Sequence, residues 1–338
     1  MQYRKNVLLG LLTLSLLIPF AAWAALDQDG NQLASPVFTD GQIGNTYISE
    51  NFVADGFSGS WYDNVDVAVN PQEGAISSGA LEYRYLENSE YPLSGRISRH
   101  AIPATAQVYL RYYIKYSNNW LGSNLPYHPH EFYLLTNKDS DWQGPGVSRL
   151  TVYFEQNAGQ YRVNLQDSNN IDQSRIGSDL SDVSESRAVA GCNGSIDGVV
   201  ASCYSAGSDY RNEKVYRATD GYLYQGNLGL SQWHLVEAFV KLNSIDDNKS
   251  ADDGEIKVWI DGQIVLDLGN VLFRTQHHAD MMFDQFLIGP YIGGGGSPIA
   301  QSFWVDDLVV AKGPLSPVGS ISPPLPPTNL TVDTNGSI

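Results

Sequence analysis

Short runs of β-branched and aromatic residues, separated by tight-turn residues, recur along this chain and restrict it to an all-β fold. The runs fall at 108–116, 131–136, 149–155, 161–166, 234–242, 255–260, 264–268, 283–289 and 302–310. Tyr161-Arg-Val-Asn-Leu-Gln166 alternates apolar and polar residues with period two, as a strand with one wet face does. Asp253-Gly254 and Asp261-Gly262 are the dipeptides expected of tight hairpins. No stretch carries capped helical periodicity, so many short strands imply a sandwich or jelly roll rather than a βαβ fold. The reading is one β-jelly-roll domain over 45–313, preceded by a lead-in at 25–44.

The flanks differ in character. Arg4 and Lys5 precede an apolar run at 7–20, and Ala22-Trp23-Ala24 supplies small residues where a signal peptidase reads, so 1–24 is expected to be a cleaved signal peptide. No later segment is apolar enough to insert in a membrane, and a secreted, extracellular or periplasmic monomer is expected. Lys and Arg total 20 against 37 Asp and Glu, a formal charge of −17. That field disfavours nucleic acid and anionic membranes as partners, while a local basic groove can still accept an anionic sugar. The segment 167–229 is a polar insertion rich in Ser, Gly and Asp. It holds the only cysteines, Cys192 and Cys203, whose expected disulfide would contribute roughly 2–3 kcal/mol. From 314 to 338 the chain reads as a linker around Pro323-Pro-Leu-Pro-Pro327, followed by a sequence like the first strand of a fibronectin type III module, cut short.

Trp233-His-Leu-Val-Glu237, Val240-Lys-Leu-Asn243, the stretch from Asp253 to Gly262 and Trp304-Val-Asp-Asp-Leu-Val-Val310 resemble the back-sheet strands of concanavalin-A-like polysaccharide lyases. Glucuronan-lyase-like proteins and fungal cellulose-induced secreted proteins are the relatives they suggest. The resemblance spans about 45–312 and implies a jelly roll acting on polysaccharide. The Glu-x-Asp-x-(x)-Glu strand of laminarinase-type hydrolases is absent, and with it the paired carboxylates that retaining hydrolysis needs. The three strand motifs of alginate lyases are also unmatched: Arg96-Ile-Ser-Arg-His100 and Gly289-Pro-Tyr-Ile-Gly293 fall in comparable places with different residues.

A uronate lyase must neutralise the substrate carboxylate, remove the C5 proton and protonate the leaving oxygen, which calls for Arg, Gln or His beside a His or Tyr base and a Tyr acid. Tyr127-His-Pro-His-Glu131 supplies His128 and His130, and Arg96, Arg99 and His100 lie upstream. Tyr291 and Gln301 complete the expected catalytic set. Arg111 and Lys115 share parity on one strand and would form a basic, sugar-facing side. A second reading is a carbohydrate-binding module or lectin stacking sugar on Tyr112, Trp120 or Tyr133. A third is a cell-surface structural or adhesive protein using the cysteine-bearing insertion. The resemblance also implies a structural Ca²⁺ between the first and last strands, on Glu50 and Asp306 with Ser78 as a looser ligand. His277-His278 with Asp280 is not read as a metal site, because adjacent strand side chains point to opposite faces.

Overall fold

The period-two runs become two antiparallel sheets packed face to face in the computed structural model. It describes residues 25–52, 57, 61–63, 66–125, 128–136, 150–157, 159–167, 215–224, 229–247, 249–251, 253–271, 273–274 and 279–314. After a 3₁₀ turn at Asp40–Gln42 the strands are β1 (Thr46–Glu50), β2 (Trp61–Asp63), β3 (Ala68–Asn70), β4 (Ala80–Tyr85), β5 (Ser98–Thr105) and β6 (Gln107–Tyr116). Next come β7 (His130–Thr136), β8 (Leu150–Asn157), β9 (Gln160–Asp167), β10 (Val215–Tyr222) and β11 (Trp233–Lys241). The last are β12 (Ile245–Asp246), β13 (Lys249–Ser250), β14 (Gly254–Ile260), β15 (Gln263–Val271), β16 (Phe283–Tyr291) and β17 (Gln301–Ala311). The front sheet runs β10-β9-β8-β7-β16-β5-β2 and the back sheet β15-β14-β11-β6-β17-β4-β3, while β12 and β13 form a separate hairpin. The fold is therefore the expected β-jelly-roll sandwich. Among the described residues no helix is long and apolar enough to cross a membrane.

The core lies between the sheets. From β6 it takes Val108, Leu110, Tyr112, Ile114 and Tyr116, and from the front sheet Phe132, Leu134, Val152, Phe154, Phe286 and Ile288. The other face of β6 is covered too. Phe38 and Ile43 pack with Tyr109, Phe239 and Trp259, and Leu33 packs with Tyr113, Trp233 and Leu235. The lead-in thus roofs the outer side of the back sheet, which is why a strand carrying Arg and Lys is mostly buried.

Two glycines show how local sequence sets the strand ends. Asp261 and Gly262 both take positive φ, 51° and 79°, and join β14 to β15 as the two-residue turn their sequence predicts. Asp253-Gly254 is not a turn. Gly254 opens β14, where a Cβ would stand 2.2 Å from the Val271 carbonyl oxygen, and Asp253 accepts from the Ser244 amide at 2.7 Å.

On β17, one edge pairs with β6 at 303–306 and 309–311, and the other passes from β4 at 301–305 to β1 at 308–311. The register slips at this handover, and Asp307 there has φ of 46°.

Candidate active site

A β-bulge builds the site. His130 pairs with Glu155 and Phe132 with Phe154, so Glu131 is an extra residue in β7. Glu131 and Phe132 both enter the core, which leaves His130 beside Glu155 on the outer face of the front sheet. A second irregularity, between Ile288 and Tyr291 on β16, brings Tyr291 opposite His130. Gly289-Pro290 falls in that interval, and a proline cannot donate to the ladder.

His130 Nδ1 lies 3.0 Å from Glu155 Oε2, and His128 Nδ1 lies 3.8 Å from the same oxygen. The two imidazole rings meet edge to face at 4.1 Å. Tyr291 stacks parallel to His130 at 6.0 Å and stands 5.2 Å from His128. Tyr153 closes another side at 4.6 Å from His130, with Tyr133 at 5.8 Å. Burial and the adjacent His130 push His128 down to about 3, so its imidazole is neutral at physiological pH. Burial alone would raise Glu155, but His130, His128 and the cross-strand Arg162 outweigh it and hold the carboxyl below its usual range. On the same face, Arg99 donates to Gln285 Oε1 at 3.3 Å. Tyr91 lies 5.0 Å from Tyr291, and the Arg96 guanidinium sits over the Tyr91 ring at 5.2 Å.

Of the residues expected at the site, the structure brings His128, His130, Tyr291 and Tyr133 together, with Arg99 on the same face and Arg96 reached through Tyr91. The others lie elsewhere. His100 pairs with Phe286 and Trp61 across the sheet, packs on the Trp61 ring at 5.3 Å and contacts the Ala101 carbonyl at 2.6 Å, so it faces away from Arg99. Gln301 accepts from the amides of Leu121 and Gly122 and donates to Ser297 Oγ, tying loops together at the start of β17. Tyr112 and Trp120 are sealed between the sheets at 0% and 1% exposure, so neither can stack on a sugar. Arg111 pairs with Asp40, and Lys115 pairs with Glu73 between Trp233 and Trp304, both on the back sheet's outer face. Glu155, Tyr153, Gln285 and Arg162 are site residues that the sequence reading missed. The parity of Tyr153 with Glu155 on one strand was the available signal. Tyr127, Cys192, Cys203, His277 and His278 lie outside the described residues.

Directly beneath His130, Glu131 occupies a polar pocket inside the core. Tyr116 donates to its Oε1 at 2.7 Å, and burial pushes the carboxyl up to about 8. Around it Tyr112 and Tyr161 share a hydrogen bond of 2.9 Å, and Trp120 Nε1 donates to Tyr224, which donates to Gln156.

A second polar cluster sits where β17 changes partners. The Ser77 hydroxyl oxygen lies 2.8 Å from the Asn51 carbonyl, 2.8 Å from the Gly79 carbonyl, and 2.9 and 3.0 Å from the two Asp306 carboxylate oxygens. A hydroxyl has one proton, so it cannot donate to all these acceptors at once. The Ala75 amide also donates to Asp306. The expected neighbours differ in detail: Ser78 is exposed, and Glu50 accepts from Trp61 Nε1 at 2.8 Å.

Fold and site together describe a β-jelly-roll sandwich with a His–His–Glu–Tyr cluster on the outer face of its front sheet. No family model and no curated protein matches the sequence. Among solved structures, alginate lyase vAL-1 from Chlorella virus is 14% identical with a TM-score of 0.49, over 75% of this chain and 91% of that one. A marine alginate lyase from Aplysia kurodai is 14% identical at a TM-score of 0.45, over 79% and 99%. An endo-β-1,4-glucuronan lyase from the fungus Trichoderma reesei is 12% identical at 0.41, over 80% and 93%. At these identities and scores the similarities assign neither activity nor substrate to this chain.

Proposed function

We propose that this chain is a secreted polysaccharide lyase that cleaves a uronic-acid polymer by β-elimination at the Tyr291 pocket. The observation that carries the reading is the convergence of Tyr291 with two histidines that share one ionised carboxylate, on a sheet face that also bears Arg99 and Gln285. Tyr291 is the phenol assigned to proton transfer. It borders both imidazoles and is half-buried, whereas Tyr133 and Tyr153 are closed off at 7% and 1% exposure. In the reaction the C5 proton leaves to the base and the C–H electron pair becomes the C4=C5 double bond. The C4–O bond breaks, and the departing oxygen takes a proton from the acid. Arg99 and the imidazoles lie on the side assigned to the uronate carboxylate, whose charge must be offset before C5 is acidic enough.

The sequence supports export through the apolar run ending in Ala22-Trp23-Ala24. Cleavage assays on uronate polymers test the activity: Tyr291→Phe should abolish it, and a His128→Ala, His130→Ala double variant should lose most of it. Undiminished cleavage in the double variant would overturn these roles. Retention of the polymers without any cleavage by the native chain would favour a binding module.

We also propose a structural Ca²⁺ at the Ser77 cluster. Carboxylate, carbonyl and hydroxyl oxygens are the donors that ion takes, and their crowding around a single proton is what a cation would relieve. Asp306, Ser77 and the carbonyls of Asn51 and Gly79 would hold it, joining the start of the chain's sandwich to its last strand.

A further inference from the structure

We propose that His128, His130 and Glu155 bind a divalent transition-metal ion, with zinc the ion that this donor set suits best. One nitrogen from each imidazole and one Glu155 oxygen all lie within 4.8 Å of one another. The oxygen stands 3.0 and 3.8 Å from the two Nδ1 atoms. Around tetrahedral zinc, bonds of about 2.0–2.2 Å place ligand atoms roughly 3.3 Å apart, so the two oxygen–nitrogen spacings are within about half an ångström of that geometry and the whole set within about 1.5 Å. Two imidazoles and a carboxylate suit zinc, whereas calcium takes six or more oxygens.

The orientation of His130 is an independent sign. Its Nδ1 is buried and close to Glu155 Oε2, yet no aligned N–H···O hydrogen bond joins them. An ion between the two atoms would take the lone pairs that this misaligned approach leaves unused. The fold explains the convergence: the bulge at Glu131 sets His130 and Glu155 side by side across two strands, and His128 stands two residues before His130.

Three protein ligands leave a fourth position for water or substrate, the pattern of catalytic rather than structural zinc. Tyr291 and the half-buried side of His128 border that position. A divalent ion held there would add positive charge able to polarise a uronate carboxylate. Only this last role rests on the lyase reading. The metal site itself does not.

The test uses the untagged chain, stripped with chelator and kept in calcium so that oxygen sites are filled. It is titrated with Zn²⁺ by calorimetry and with Co²⁺ by visible absorption. One saturable ion per chain is expected, with the intense d–d bands of tetrahedral cobalt. Glu155→Gln, which preserves shape, and His128→Gln, at a partly exposed position, should each weaken binding by at least about tenfold and lose the bands. Absence of saturable heat and of cobalt bands in the native chain, or equal affinity in folded variants, would overturn the site. Uronate cleavage measured on the same samples separates the two ideas. Zinc binding without any cleavage refutes the lyase and leaves the site. Cleavage by a chain that takes up no zinc in the titration refutes the site and leaves the lyase.

Discussion

The substitution Glu131→Gln should make the protein's stability much less dependent on pH. Glu131 is fully buried, and its carboxyl is pushed up to about 8 from an ordinary value of 4.5. The folded state therefore holds a proton that the unfolded chain releases above about pH 4.5. Stability linked to this proton is complete below that pH and is lost as pH rises towards 8. At about 1.36 kcal/mol for each pH unit between the two values, the loss reaches roughly 5 kcal/mol by pH 8 and roughly 3 by pH 7. A glutamine side chain in this pocket keeps an acceptor for the Tyr116 hydroxyl but cannot titrate. Its amide hydrogens need partners, and any cost of leaving them unpaired is a constant offset of about 1–3 kcal/mol. The informative quantity is thus the slope. Urea denaturation of both proteins at pH 5, 6, 7 and 8 should show the variant gaining on the native chain by several kcal/mol across the series. A difference that stays flat, or that grows in favour of Glu131 as pH rises, would refute a protonated buried carboxyl.

Other outcomes follow from the same geometry. Calcium in hundredfold excess over its dissociation constant should stabilise the chelator-treated protein by about 2.7 kcal/mol, and Asp306→Ala should abolish the response; identical melting with and without calcium would contradict the oxygen cluster as a cation site. Gly254→Ala places a Cβ 2.2 Å from the Val271 carbonyl and should cost roughly 1–3 kcal/mol, read as a lower urea midpoint with an unchanged slope. Tyr291→Phe should remove cleavage while leaving retention of the polymer on an affinity gel, since the ring and its packing on His130 and His128 are kept.

The strands and the sandwich were legible because the side-chain period of a sheet is written in the sequence. The Asp261-Gly262 turn was legible for the same reason, as its residues tolerate the positive φ it needs. What escaped was set by contacts distant in sequence. Simple alternation puts Glu131 on the same side as Tyr133, and the inserted residue that sends it into the core depends on pairing with β8. Tyr112 and Trp120 have the composition of a sugar platform, but aromatic residues suit a sheet core equally well, and only the second sheet decides between them. Arg111 and Lys115 have the parity of a wet face. The lead-in at 25–44, which carries no strong structural pattern, lies over that face and supplies Asp40. Glu155 looks like an ordinary wet-face residue until His130 is placed opposite it. In the oxygen cluster beside β17, Ser77 rather than Ser78 faces Asp306, a one-residue difference set by the turn backbone.

The most direct test of the account is ultraviolet absorbance of the C4=C5 unsaturated product, followed on separate solutions of glucuronan, alginate, pectate and glycosaminoglycans with calcium and zinc present. β-Elimination at Tyr291 should give a rise on one uronate polymer with the native chain and none with Tyr291→Phe. A flat trace on every polymer with folded, metal-loaded protein, or an undiminished rise with Tyr291→Phe, would contradict β-elimination at this pocket.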